Sequence, residues 1–157
     1  MNMKTNRNSG FTVTELLVVC AIIGIMGFSA FINVIARAPY FRMDDARIQI
    51  INDLRAARQN AVSRSAPVYV SFSSSAKSYT IWIDANRNGS VDSGEQTTKT
   101  LPNYNGLTMS VSPDSGNFSA LGTWSCSSTV EMISLTLSPV GTQKIYVTPS
   151  GEVGSDS

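Results

Sequence analysis

Histidine is absent from this chain. That removes the side chain most often used as a general base near neutral pH, every Ser-His-Asp or Cys-His nucleophile pair, and the usual zinc sites. Cysteine is nearly absent too, with Cys20 and Cys126 standing far apart. Their spacing fits no metal motif and two thiols cannot staple a disulfide scaffold, so both read as small hydrophobic side chains. Charge is sparse, since Asp, Glu, Lys and Arg make up 15% of residues against the usual quarter. With 12 basic and 11 acidic residues the formal net charge is +1, which argues against a surface built to coat a nucleic-acid backbone. What remains is enough for a core: 42% of residues are apolar and 8% aromatic, so disorder is a poor reading. At 157 residues the chain has room for one ordinary domain and an appendage.

A mean hydropathy of +0.01 hides an uneven distribution. Residues 1–10 (MNMKTNRNSG) carry Lys4 and Arg7 and no acid. From Leu16 to Phe28 the only polar side chain is Cys20, and the apolar stretch runs on to Ala36 with Ser29 and Asn33 tolerated inside it. About 20 such residues in a helix cross the ~30 Å hydrocarbon core of a bilayer, which predicts one membrane helix over 11–36. Two plainer readings compete. A secretory signal would also start basic and turn apolar, and Ala36-Arg37-Ala38 offers a small-x-small site, but Pro39 follows at once and suits signal peptidase badly. A simple membrane anchor is the other. Neither explains Glu15 at the mouth of the apolar run, because a carboxylate within a bilayer costs a few kcal/mol and calls for a partner. Thr12-Val13-Thr14-Glu15 also reads as a capping box, with Glu15 in the first helical turn where the macrodipole favours negative charge.

The run Gly10-Phe11-Thr12-Val13-Thr14-Glu15-Leu16-Leu17-Val18-Val19 resembles the cleavage and methylation signature of type IV prepilins and type II secretion pseudopilins. A short basic leader ends in Gly, Phe follows, Glu stands fifth after the cut, and a long apolar helix continues. The resemblance implies that a prepilin peptidase cuts between Gly10 and Phe11 on the cytoplasmic side of a bacterial inner membrane, and that the new Phe11 amine is methylated. It implies that Glu15 pairs with the terminal amine of a neighbouring pilin or pseudopilin subunit during filament assembly. The subunit would cross the inner membrane once with its head in the periplasm, then enter a periplasmic or cell-surface filament. Cleavage removes Lys4 and Arg7 from the 12 basic residues, leaving ten against 11 acidic ones.

Beyond Pro39, the segment Asp44 to Ser65 reads as an amphipathic helix. Ala46, Ile50, Leu54, Ala57 and Ala61 form one apolar stripe, and Asp45, Arg47, Asn52, Arg55 and Arg58 lie opposite. Joined to the apolar part this makes a helix of about 50 residues, roughly 80 Å long, that Pro39 is expected to kink or interrupt. Arg47, Arg55, Arg58 and Arg64 read as a solvated face with Asp44, Asp45 and Asp53 nearby rather than a nucleic-acid stripe. From Pro67 the period becomes two. Residues 67–72 and 78–83 read as paired strands, with further strands at 107–111, 130–137 and 143–147, the last two joined by the turn Ser138-Pro139-Val140-Gly141. Residues 112–128 are Ser- and Gly-rich and indicate no element. The fold class expected is α+β, a long N-terminal helix followed by an antiparallel β-sheet or sandwich head. Its parts are a leader at 1–10, a membrane or filament-core helix at 11–36, an amphipathic helical half at 37–65 and a β-rich head at 66–157. Leu54-Arg55-Ala56-Ala57-Arg58-Gln59-Asn60-Ala61-Val62 and the strands near 134–151 resemble the GspH/FimT group of minor pilins and pseudopilins.

One loop has the spacing of a metal site. Asp84-Ala85-Asn86-Arg87-Asn88-Gly89-Ser90-Val91-Asp92-Ser93-Gly94-Glu95 matches an EF-hand calcium loop, with oxygen ligands expected from Asp84, Asn86, Asn88, the Ser90 carbonyl, Asp92 and Glu95, and a sharp turn at Gly89. A strand leads into it instead of a helix, so a hairpin loop turning at Asn88-Gly89 is the competing reading. Calcium is the one cofactor the sequence raises, and no catalytic residue stands out. Two rival functions come from other classes. FimT-like minor pilins that capture DNA do so through a basic tail after a Gly-Arg motif, but here Gly151-Glu152-Val153-Gly154-Ser155-Asp156-Ser157 puts Glu in place of Arg and carries no base, which disfavours nucleic acid as a partner. A membrane-anchored periplasmic enzyme is the other, and it lacks any visible nucleophile–base pair.

Overall fold

A computed structural model of the chain describes residues 11–92, 94–128 and 130–156, without the side chains of 30, 32–34, 36 and 131. The leader, Gly10 included, lies outside the described residues. The chain divides into two units, one ending at Ala38 and one running from Pro39 to Ser157.

Helix α1 runs from Val13 to Arg64, 52 residues, with Pro39 inside it. The expected interruption at Pro39 does not occur. Proline removes one backbone donor and crowds the preceding turn, but Ile35, Tyr40 and Phe41 around it are exposed, so water or a partner can take up the freed carbonyl. Among the described side chains of the first unit, Leu16, Leu17, Ile23, Ile25, Met26 and Phe28 each leave more than half of their surface open. Among the described residues, no helix is long and apolar enough to cross a membrane. The expected span at 11–36 includes side chains outside that description.

The second unit is the head. The stripe predicted by helical periodicity is its inner face: Met43, Ala46, Ile50, Leu54, Ala57 and Ala61 are at most 1% exposed. The chain then makes β1 (Val68–Ser73), β2 (Ser78–Ile83), β3 (Gln96–Thr100), β4 (Thr108–Ser112), β5 (Ser115–Phe118), β6 (Trp124–Cys126), β7 (Glu131–Leu137), β8 (Gly141–Val147) and β9 (Val153–Asp156). They form a five-stranded sheet in the order β3-β2-β1-β5-β6 and a four-stranded sheet in the order β4-β7-β8-β9. All pairings are antiparallel, so the α+β class is as expected. Alternation sends Val68, Val70 and Phe72 of β1, Ile133, Leu135 and Leu137 of β7, and Ile145 and Val147 of β8 into one core with the helical stripe. Trp124 joins it because β5 has Gly116 beneath the indole. A Cβ there would stand 2.2 Å from the ring.

The paired strands expected from 67–72 and 78–83, and those near 107–111, 130–137 and 143–147, are β1, β2, β4, β7 and β8. Four others carried too little signal. β3 (QTTKT) is a mostly exposed edge strand, β5 (SGNF) and β6 (WSC) lie in the Ser/Gly-rich stretch, and β9 lies in the polar tail.

Candidate functional site

Thr12 starts the helix and caps it. The Glu15 backbone N–H donates to the Thr12 hydroxyl (3.2 Å) and the Leu16 N–H to the Thr12 carbonyl (3.1 Å). This is one half of the capping box expected of Thr-x-x-Glu; among the described residues the reciprocal bond from the Thr12 N–H to the Glu15 carboxylate is not made, which leaves the carboxylate free. That carboxylate is exposed and has no hydrogen-bond or ion-pair partner among the described residues. Phe11, expected to become the first residue, is 78% exposed. An apolar rod carrying one unpartnered acid at its start can do two things chemically. It can enter an apolar medium, and it can pair with a cation there.

The loop at 84–95 connects β2 to β3 as a hairpin and closes on itself. Asp84 is 3% exposed, and its two carboxylate oxygens accept the backbone N–H groups of Asn88 (3.0 Å) and Gly89 (2.9 Å). The Asn86 and Asn88 amides both donate to Asp92 Oδ2, at 2.7 and 2.9 Å. Their own oxygens accept from the Asn88 and Ser90 N–H groups. Glu95 Oε1 accepts from the Ala85 N–H (3.2 Å) and Oε2 from the Asp92 N–H (3.0 Å). The sequence-predicted ligands Asp84, Asn86, Asn88, Ser90, Asp92 and Glu95 are thus brought into one loop, while Ser93 lies outside the described residues. The side-chain oxygens of Asp84, Asn86, Asn88, Asp92 and Glu95 serve the loop's own donors, and among the described residues no three acidic, Cys or His side chains converge as a metal site. Calcium would have to draw the two amides away from Asp92.

The arginines are where the sequence reading needs correcting. Arg47, Arg55 and Arg58 are not simply solvated, because they fasten the C-terminal segment to the helix. Arg58 Nε donates to the Gly122 carbonyl (3.0 Å) and its Nη2 to the Ser150 carbonyl (3.1 Å). Arg55 Nη2 donates to the Val153 carbonyl (3.1 Å) on β9, and Arg47 Nη1 reaches the Ser155 hydroxyl (3.4 Å). Two turns must meet for Arg58 to hold both. They can because residue 151 is glycine: at φ +78° a Cβ would sit 1.9 Å from the Gly122 carbonyl oxygen. These carbonyls are backbone groups, invisible to any side-chain pattern, which is why the sequence read these arginines as a solvated face.

Asp53 makes a second fastening. It accepts from Lys99 Nζ on β3 (2.5 Å) and from the Tyr79 hydroxyl on β2, to which Gln49 also donates (3.3 Å). Burial first, and then the hydrogen bond to Asp53, push the Tyr79 phenol well above its ordinary range.

The comparisons with known proteins follow this geometry. Residues 47–153, the helix–head unit just described, match the model of the type II transport protein GspH. The chain belongs to the GspH family. Residues 5–31 match the prokaryotic N-terminal methylation motif. Together these make it a minor pilin or pseudopilin subunit that carries the signal for prepilin processing and associates with other such subunits. Among solved structures, the fold is similar to the type IV minor pilin FimU of Pseudomonas aeruginosa (TM-score 0.60, 17% identity, 73% of this chain and 88% of that one). It is also similar to the minor pseudopilin EpsH of the Vibrio cholerae type 2 secretion system (TM-score 0.58, 11% identity, 74% and 97%). No curated protein matches the chain in sequence.

Proposed function

We propose that this GspH-family subunit is made as a precursor held in the bacterial inner membrane by residues 11–36, with its head in the periplasm. A prepilin peptidase cuts between Gly10 and Phe11, the Phe11 amine is methylated, and the subunit enters a filament with Glu15 paired to the terminal amine of a neighbour. The observation that carries this reading is the exposed apolar helical stretch whose single acid, Glu15, has no partner among the described residues. Burying a lone carboxylate costs several kcal/mol, and a cationic amine from the next subunit offsets that cost. The role is structural, not catalytic.

Type IV pili and type II secretion pseudopili share this building plan, and the genes beside this one would separate them. DNA capture is disfavoured, since the tail carries Glu152 and Asp156 and no cation. For the 84–95 loop we propose that its own hydrogen bonds set its shape and that calcium binds weakly at most.

The test is direct. Mass spectrometry of the mature protein should give Phe11 as the first residue with one added methyl, and Glu15→Val should insert in the membrane but fail to enter filaments. Met1 as the first residue, or normal incorporation of Glu15→Val, would sink the proposal.

A further inference from the structure

The outer face of the five-stranded sheet carries a second site. Tyr69 on β1 and Trp82 on β2 are directly opposed, and their rings stack with centroids 4.1 Å apart and planes within 10°. The same cross-strand row continues through Asn117 on β5 to Ser125 on β6. Beside it, Ser71 on β1 stands opposite Ser115 on β5. These six side chains line an open cavity of about 360 Å3. At about 4.8 Å between strands, the four-residue row spans roughly 14 Å.

Three properties of the cavity narrow its ligand. No charged residue lines it. The two aromatic rings are half-buried, so they offer apolar surface without joining the core. Among the described residues, the Tyr69 hydroxyl, the Trp82 indole N–H, the Asn117 amide and the hydroxyls of Ser71, Ser115 and Ser125 make no hydrogen bond to another protein group. Ser71, Ser115 and Ser125 are exposed, so their hydroxyls face water and are free to bond a ligand. Here the open face of Tyr69, its other face covered by Trp82, shares one hollow with a ring of neutral donors and acceptors.

We propose that this cavity binds a neutral oligosaccharide. A pyranose presents the complementary surface, a C–H face for the side of the Tyr69 ring that the stack with Trp82 leaves open toward β5, and hydroxyls around its edge for Asn117 and the serines. A phosphate-bearing ligand could stack its base but would find no Lys or Arg for its charge, and a cation would find no carboxylate. The row is long enough for more than one sugar ring.

The experiment is isothermal titration of the full chain, held in a detergent without a sugar headgroup, with tetrasaccharides of glucose and of N-acetylglucosamine. Saturable binding of at least one is expected. Tyr69→Ala should weaken it at least about tenfold. Ser115→Glu, at an exposed position, should abolish binding with the near-UV circular dichroism unchanged, which guards against a misfolded Tyr69 variant. Thr108→Ala, on the other sheet, should bind like the wild type. Absence of binding by every tetrasaccharide, or binding that survives both Tyr69→Ala and Ser115→Glu, overturns the proposal. So does capture of another pilin subunit that depends on Tyr69 while no sugar binds, since the face would then belong to a protein partner.

Discussion

Residues 16–35 and residues 43–61 belong to one helix, use the same backbone hydrogen bonds and draw on the same apolar residue types, yet their fates are opposite. Ile50 and Leu54 are fully buried, whereas Ile23 and Ile25 are 64% and 69% exposed. Fully burying one such side chain stabilises by about 1.5–3 kcal/mol, so the second stretch is stabilised by its own head, while Ile23, Ile25 and the other described large apolar side chains of the first are left open. The difference lies in what opposes each stretch. Around 43–61 the opposing surfaces are β1, β7 and β8 of the same polypeptide. Around 16–35, on the reading proposed above, they come from lipid and then from neighbouring subunits. A helix is thus no evidence of self-sufficiency, and on the proposed reading the N-terminal half is an interface whose other side comes from elsewhere.

The sharpest way to break that comparison is a matched pair of truncations. Leu54→Ala should destabilise the head by about 2–5 kcal/mol, because it removes fully buried methyl groups and leaves a cavity. Ile23→Ala should move the same unfolding transition by less than about 0.5 kcal/mol. Denaturant unfolding of the full chain in detergent reads both, and equal effects would mean that the two halves are energetically one unit.

Next in size is the arginine fastening. Arg58→Ala should cost about 1–2 kcal/mol, since two carbonyls lose a charge-assisted donor at a site open enough for water to replace part of it. Arg58→Lys should recover less than half of that, because an ammonium cannot copy the forked geometry. If Arg58→Ala left the unfolding midpoint unchanged, the C-terminal segment would be held by its strand pairing alone.

A smaller, pH-dependent effect tests the Asp53–Tyr79–Lys99 cluster. An unfolded tyrosine ionises near pH 10, while in the head burial and Asp53 favour the neutral phenol. The folded value is raised, so this stabilisation is fully present below about pH 10 and is lost as pH rises further, at up to about 1.4 kcal/mol per unit. Comparing the unfolding midpoint at pH 9 and pH 11 for the wild type and Tyr79→Phe should show a shallower loss in the variant. Parallel losses would assign the alkaline sensitivity to other groups.

Much of this architecture was legible in the sequence, for physical reasons that also mark the limits. The stripe from Ala46 to Ala61 and the alternation in β1, β2, β7 and β8 are periodic because one face of each element is buried. β3 and β9 are edge strands of Thr, Gln, Gly and Ser with little to bury, so periodicity has no purchase on them. At the N-terminus, Thr12 and Glu15 announced a cap through side chains at fixed spacing, and the cap's first hydrogen bond is present. The arginine contacts could not be read in the same way. Arg55 and Arg58 bind backbone carbonyls supplied by β9 and by two turns, about 60 to 100 positions away, and every residue has a carbonyl.

The smallest expected effect concerns the 84–95 loop, where the head's independence could still fail. If calcium organised that loop, the head too would borrow stability from outside its chain. Its internal hydrogen bonds argue otherwise: Asp84, Glu95 and Asp92 already receive donors from the loop itself. With no paired helices to pre-organise it, any site should fall in the weak range of extracellular modules, on the order of 10⁻⁴–10⁻³ M. Even so, calcium at a few-fold excess over such a constant would add about 1 kcal/mol. In a head of this size that raises the melting temperature by about 3–6 °C, well within reach of calorimetry. The expected outcome is a difference of less than about 2 °C between millimolar calcium and chelator, a shift too small for a site occupied at a few-fold excess. A rise of several degrees in calcium, lost in Glu95→Gln, would show instead that the loop depends on an ion in the way the N-terminal half depends on its neighbours.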